Sequence, residues 1–281
     1  MWRLKQGLVE STVIENIRKP KRISKYAGLE NPEEVKKWIA TGKWRKSYKE
    51  SLVNAYATWC DFRNIPFEKP KYHRDENLPF IPLEKELDVL ISGVNEKTSI
   101  YLTLLKETGV ESGEAWKLRV KDLWIEQRTV NIRGTKRHKG RQLKISSRLV
   151  SMLIPFTKDK EMDDRLFYGK IMHFRRWFEL QRKELAKKLK SPRLMEISFR
   201  TFRHWKATTE YHKTKDILYV KQLLGHHNIK NTLIYTHLVN WENDDWVCKV
   251  ALNLEEAVNL IESGFEYVTD FEDKKIFRKR K

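Results

Sequence analysis

Apolar residues recur at helical spacing along most of this chain. Val35, Trp38 and Ile39 stand at i, i+3 and i+4, which is one face of a helix. Asn31-Pro-Glu-Glu immediately before them reads as a helix start, with Asn31 as N-cap and Pro32 at the first helical position, where its missing N–H costs nothing. A second helix runs from about Lys46, burying Leu52, Val53, Tyr56 and Trp59, and stops near Asn64-Ile65-Pro66. The stretch Leu8 to Asn64 thus reads as several short helices. From Pro66 to Pro82 there are four prolines in seventeen residues and no periodicity, the mark of an interdomain linker. The expected division is a helical domain over residues 1–75, a linker over 76–82 and a second domain over 83–281.

The second domain should open with helices at Leu83–Ser92, Lys97–Thr108 (stopped at Gly109) and Glu111–Leu118. A strand at Leu123–Arg133 and a partner at Gln142–Ile145 follow, joined by the loop Gly134–Arg141. Ser151 to Leu189 reads as helical, as do Arg200–Tyr211, Ile217–Leu224 and Asn231–Leu238. The tail holds a helix at Leu254–Ser263 and a hairpin around Phe265–Arg278. The fold class is mainly α with a small β-sheet at its edge.

Length and charge add a partner to this picture. The 281 residues suffice for two domains with cores of their own, and the formal net charge is +19. Up to Pro79 seventeen basic residues stand against ten acidic ones, leaving a surplus of +12 for the remainder, so both halves are basic. Such a charge repels itself in the folded monomer, and a polyanion offsets it; binding then gains from counterion release. Two basic domains on a linker suit a clamp round a DNA duplex. The two cysteines, Cys60 and Cys248, lack metal-ligand or disulfide-framework spacing and fit a reducing compartment. The N-terminus has no apolar signal core, and no apolar run reaches membrane-span length, so a cytoplasmic protein without a membrane partner is expected.

The chemistry concentrates between Thr201 and Leu238, where Arg203, a Leu-Leu-Gly-His ending at His226, and Tyr235 nine residues later stand in order. Phosphoryl transfer to a protein hydroxyl needs cationic donors for the nonbridging oxygens, a nucleophile held in line and a proton for the departing oxygen. Arginine supplies the first through its permanently charged planar fork. Histidine can donate a hydrogen bond or move a proton near neutrality. Tyrosine can attack and hold the phosphate as an aryl ester. Taken singly, an Arg-His pair suits a solvated helix face, Leu-Leu-Gly-His an ordinary helix stop, and Tyr235 a core position beside Ile234 and Leu238.

Arg200-Thr-Phe-Arg203-His, Leu-Leu-Gly-His226 and Thr-Leu-Ile-Tyr235-Thr-His resemble the second and third signature boxes of the tyrosine recombinases, or phage-type integrases, and their wording is most like the archaeal members. The resemblance covers roughly Leu83 to Leu238. It implies a two-domain clamp, with a helical N-terminal DNA-arm domain and an α+β catalytic domain. It implies site-specific cleavage and rejoining of duplex DNA through a 3′-phosphotyrosine at Tyr235, with a free 5′-hydroxyl and neither metal nor other cofactor. Arg203 matches the arginine that grips the scissile phosphate, and His226, rather than its neighbour His227, the supporting histidine. Lys136 matches the hairpin lysine that protonates the leaving 5′-oxygen, with Lys139 as alternative. Self-association into a dimer or tetramer on DNA is also implied.

Two positions depart from the family's pattern. Arg200 stands where the family has His or Lys, and it cannot exchange a proton near pH 7. Thr108-Gly-Val-Glu111 puts Glu111 where the first arginine belongs. Loss of one preorganised donor costs roughly 10²–10³ in rate. A carboxylate about 5 Å from the phosphate adds about 3 kcal/mol at an effective dielectric near 20. Together these remove on the order of four powers of ten. Glu111 could instead turn outward to Lys117 or Arg119. Arg119 itself, eight residues further along the same expected helix and about 12 Å away in rise, should not replace the arginine. A recombinase-derived DNA-binding protein with impaired chemistry is therefore the alternative function. The basic loop around Lys136 (Arg137, Lys139 and Arg141), the pair Arg175 and Arg176, and Lys206 are the expected DNA backbone contacts.

Overall fold

The computed structural model describes residues 10–72, 78–134, 138–238, 246–271 and 274–280. Lys136 and Arg137 therefore lie outside the described residues. The chain forms two compact units, Met1–Asn77 and Leu78–Lys281.

The first unit is helical: α1 (Glu10–Ile23), α2 (Pro32–Thr41) and α3 (Lys46–Arg63). The Asn31 side chain accepts from the backbone N–H of Glu33 (3.2 Å) and Glu34 (3.3 Å), capping α2 as its sequence indicates. Ile23 of α1, Val35 and Ile39 of α2, and Leu52, Val53 and Tyr56 of α3 meet in its core.

The second unit begins with α4 (Glu84–Ser92), α5 (Glu96–Thr108) and the single turn α6 (Ser112–Ala115). Here the expected helix Glu111–Leu118 is shorter, because the chain turns at Trp116 to bury that indole against Tyr101, Phe167 and Phe174. The expected strand Leu123–Arg133 is two strands, β1 (Leu123–Trp124) and β2 (Thr129–Ile132), separated by a turn in which Arg128 takes φ +49. With β3 (Arg141–Lys144) they make an antiparallel sheet in the order β1-β2-β3, Val130 opposite Leu143. The stretch 151–189 is likewise interrupted: α7 (Ser147–Thr157) ends two residues after Pro155, and α8 (Ile171–Lys188) begins after Gly169 at φ +94.

α9 (Phe199–Thr214), α10 (Ile217–Leu224), α11 (Lys230–Leu233) and a 3₁₀ turn (Ile234–His237) carry the motif region. α5 is the central helix, with Ile100, Tyr101, Leu102, Leu104 and Leu105 all fully buried. Each such side chain stabilises the fold by about 1.5–3 kcal/mol relative to exposure. A helix buried on most sides has no clean amphipathic stripe, which is why its role as the axle is not visible in its spacing. The tail has a second sheet, β4 (Trp246–Ala251), β5 (Glu266–Phe271) and β6 (Lys274–Arg280), ordered β4-β6-β5, with α12 (Leu254–Glu262) packed on it. The β5–β6 hairpin was expected and β4 was not. No helix among the described residues is long and apolar enough to cross a membrane.

Candidate active site

Arg203 is seated where two helices end. Gly109 closes α5 at φ +63 and Gly225 closes α10 at φ +71, a left-handed conformation that glycine adopts without a Cβ penalty. Arg203 Nη1 donates to the Gly109 carbonyl (2.7 Å) and Nη2 to the Leu224 carbonyl (2.8 Å). A helix C-terminus leaves carbonyls unsatisfied and carries partial negative charge, so two of them together hold the cation in a place that is only 5% exposed. The Thr-Gly and Leu-Leu-Gly-His signatures are thus two helix stops that share one guanidinium.

Tyr235, on the 3₁₀ turn, is 3% exposed and packs with Ala207, Val220, Leu224 and Leu238. Its hydroxyl lies 3.1 Å from His204 Nδ1, and Arg200 Nε donates to His204 Nε2 at 3.2 Å. Burial raises the phenol's pKa; the charges of Arg203 and Arg200 lower it and that of Glu111 raises it again. The phenol is therefore covered but sits beside cations, a requirement for a nucleophile that must become negative.

His226 follows Gly225, and its Nδ1 is 2.9 Å from Thr232 Oγ1. Burial, then the charge of Arg203, holds its pKa near 3, so the ring is neutral at physiological pH. His138, at the foot of the β2–β3 loop, forms a β-bridge to His226, and the Lys139 N–H donates to the Gly225 carbonyl at 3.0 Å. Beneath them Arg141 donates to Glu114 Oε2 (2.8 Å) and Oε1 (3.2 Å), both side chains 6–7% exposed, and through Nε to the Leu223 carbonyl (2.8 Å). A Cβ at Gly225 would stand 2.7 Å from Arg141 Nη1, a second reason for glycine there. Burial pushes Glu114 up, but the bonds and charge of Arg141 hold its carboxyl below the usual range.

Glu111 is 49% exposed, and its carboxylate is 3.6 Å from His138 Nε2. It turns to neither Lys117 nor Arg119. Arg119 lies beyond α6 and pairs with Asp163, so its unsuitability as a substitute follows from that pairing and not from rise along a shared helix. Glu111 edges a cavity of about 520 Å³ whose wall includes Arg175, Arg182, Arg200 and Arg203. Arg175 Nη2 donates to Ser112 Oγ (2.9 Å), beside Glu111, and Tyr101 donates to the Ser112 carbonyl (2.7 Å). Glu179 lines the cavity as well, so four arginines stand against two carboxylates, and the surplus of positive charge suits a phosphate group.

The model of the phage integrase family matches residues 83–241, more than half of the chain. This chain belongs to that family. Among curated proteins, tyrosine recombinase XerA of Saccharolobus solfataricus is 30% identical over 189 residues, 66% of this chain and 61% of that protein. A tyrosine recombinase of Pseudothermotoga lettingae is 31% identical over 187 residues, 64% of this chain and 63% of that one. The matches therefore span under two thirds of these relatives' lengths. Among solved structures, the Tn1549 transposon integrase in complex with circular intermediate DNA superposes with a TM-score of 0.66 at 16% identity, covering 85% of this chain and 93% of that one. XerH recombinase bound to its difH substrate gives 0.58 at 20% identity, over 74% and 67%. These likenesses establish a shared fold.

Among the residues singled out from the sequence, the structure gathers Arg203, Arg200, Glu111 and Tyr235 around one region and brings His226 to its hairpin side. His227 is exposed. Arg141, expected as a DNA contact, is instead buried in the ion pair with Glu114, because its strand faces α10. Lys206, also expected on DNA, is partly buried, its stem against Gly109 and its ammonium on Glu210 at 2.8 Å. Lys139, Arg175 and Arg176 are exposed. His204, His138 and Glu114 were missed as site members. Only the Arg-His pair and the histidine of the basic loop hinted at the first two. Among the described residues no cluster of His, Cys, Asp and Glu could hold a metal ion.

Proposed function

We propose that this protein is a site-specific recombinase that cuts and rejoins duplex DNA through Tyr235. The observation that carries this reading is the seating of Arg203, which also walls the cavity, where its charge acts on the Tyr235 phenol. In the proposed reaction the scissile phosphate rests on Arg203, with His226 supporting it as a neutral hydrogen-bonding group. Arg200 serves the phosphate as a fixed cation. The phenolic oxygen forms a bond to phosphorus as the bond to the 5′-oxygen breaks, and Lys136 gives that oxygen its proton. The foot of the loop that carries Lys136, pinned at His138 and Lys139 to His226 and Gly225, supports this assignment.

DNA-bound structural neighbours support a duplex partner, and the domain assignment that goes with it is residues 1–75 as the helical DNA arm, residues 76–82 as the linker and residues 83–281 as the catalytic domain. Arg175, Arg176, Lys139 and Arg137 would touch the backbone, self-association into a dimer or tetramer would occur on DNA, and the protein would act in the cytoplasm. Glu111 favours a second reading, a DNA-binding protein with slow or absent cleavage. A nicked suicide duplex separates the two. A recombinase accumulates a covalent adduct that Tyr235→Phe abolishes while leaving affinity intact; no adduct with the wild-type chain, at undiminished affinity, establishes the second reading.

A further inference from the structure

His204 has no part in the chemistry set out above, yet it is the group that touches the Tyr235 hydroxyl. It stands one helical turn from Arg200 on α9, so its two ring nitrogens face two different partners: Nε2 the Arg200 Nε–H at 3.2 Å, and Nδ1 the phenol at 3.1 Å. A guanidinium has five N–H donors and no acceptor. The nitrogen that faces it must therefore offer a lone pair, and a neutral imidazole then carries its one proton on the other nitrogen. We infer that Arg200 fixes His204 as the Nδ1–H tautomer, so that His204 donates a hydrogen bond to the Tyr235 oxygen and positions it as a nucleophile.

The ring's neutrality follows from its surroundings. Burial, then the charges of Arg200 and Arg203, push its pKa down to about 4. A donor aimed at the phenolic oxygen strengthens as negative charge grows there, so it favours the phenolate. It acts in the same direction as the Arg203 and Arg200 charges, against burial and the Glu111 carboxylate. His204 has no free lone pair on Nδ1 in this tautomer, so it does not take the phenolic proton. In the proposed cleavage that proton leaves to a phosphate oxygen or water as the oxygen–phosphorus bond forms. The role also explains a departure noted in the sequence: Arg200 cannot exchange a proton, but a residue that never accepts is what locks a neighbouring imidazole in one tautomer.

The tautomer itself requires no DNA, and only its kinetic consequence rests on the proposed function. Long-range ¹⁵N–¹H correlation on the full chain with ¹⁵N-labelled histidine should show His204 with a protonated Nδ1 and a bare Nε2 near pH 7. In Arg200→Ala the two tautomers should mix. A protonated Nε2 in the wild type overturns the inference outright. Single-turnover adduct formation on the nicked duplex then tests the consequence. An asparagine amide N–H stands about where Nδ1 does, and a glutamine N–H reaches about to Nε2. His204→Asn should therefore keep most of the rate, while His204→Gln and His204→Ala lose about 10²-fold and move the alkaline rise of the rate to higher pH. Equal rates and pH profiles for all three also overturn it. If the wild type forms no adduct, the recombinase reading fails, and the nitrogen spectrum still decides on His204.

Discussion

The wall of the site formed by α9 with the ends of α5 and α10 differs in kind from the wall formed by α6 and the foot of the β2–β3 loop. On the first, cations meet neutral acceptors: Arg203 lies on two helix-end carbonyls and Arg200 on an imidazole. None of these partners cancels charge, so both guanidiniums keep their field for a phosphate. On the second, the cation is held in a buried ion pair. Glu114 neutralises Arg141, and His138 stands between Glu114 and Glu111. A helix end is a way to hold a cation in place without neutralising it, whereas an ion pair holds one and removes its charge. The first arrangement suits binding a phosphodiester and the second suits bracing a loop.

The largest effect expected from disturbing this contrast is on stability. Arg141→Ala leaves Glu114 buried without its partner and should cost about 3–5 kcal/mol, read as a fall in the urea midpoint. A cost near zero would mean that the second wall is no brace. Next is Glu111→Arg, which puts a donor where a carboxylate stands; the donor alone should raise adduct formation on the nicked duplex by roughly 10²–10³. An unchanged rate would show that Arg175, beside that position, already fills the role. Acid sensitivity comes third. His204 and His226 are held near 4 and 3, so below about pH 6.5 the unfolded chain takes up protons that the folded one refuses, and stability falls with pH. Glu114, held below the 4.5 of a free carboxyl, adds a loss that sets in below that value as its ion pair is titrated. Glu114→Gln should flatten only this lower limb of the urea-midpoint profile. The smallest effect belongs to the exposed Arg176 on α8: Arg176→Ala should reduce the slope of log affinity against log salt by about one, with no change in the adduct rate at saturation.

Local chemistry made much of this legible in advance. The Asn31 cap, the helix stops at Gly109 and Gly225 and the boundaries of α10 follow from side-chain and glycine preferences acting within a few residues. The motif order named Arg203, His226 and Tyr235. Reading failed where a local pattern was continuous but the packing was not. Leu123–Arg133 reads as one strand, yet it folds back at Arg128, and nothing in the apolar spacing of 151–189 marks the break between Thr157 and Ile171. Arg141 was read as a surface base because its neighbours are basic.

Taken alone, the order of residues determined the helical character of both units, the two glycine stops and the family to which the chain belongs, because periodicity, caps and motif spacing act along the chain. Only the folded structure decided which charges survive. Arg203 reaches back 94 positions to the Gly109 carbonyl, Arg141 reaches 27 to Glu114, and His204 meets Tyr235 across 31. Whether a buried cation is neutralised or merely seated depends on which distant carbonyl, carboxylate or ring the packing brings within about 3 Å, and electrostatic energy in a low-dielectric interior is set by that last few ångströms.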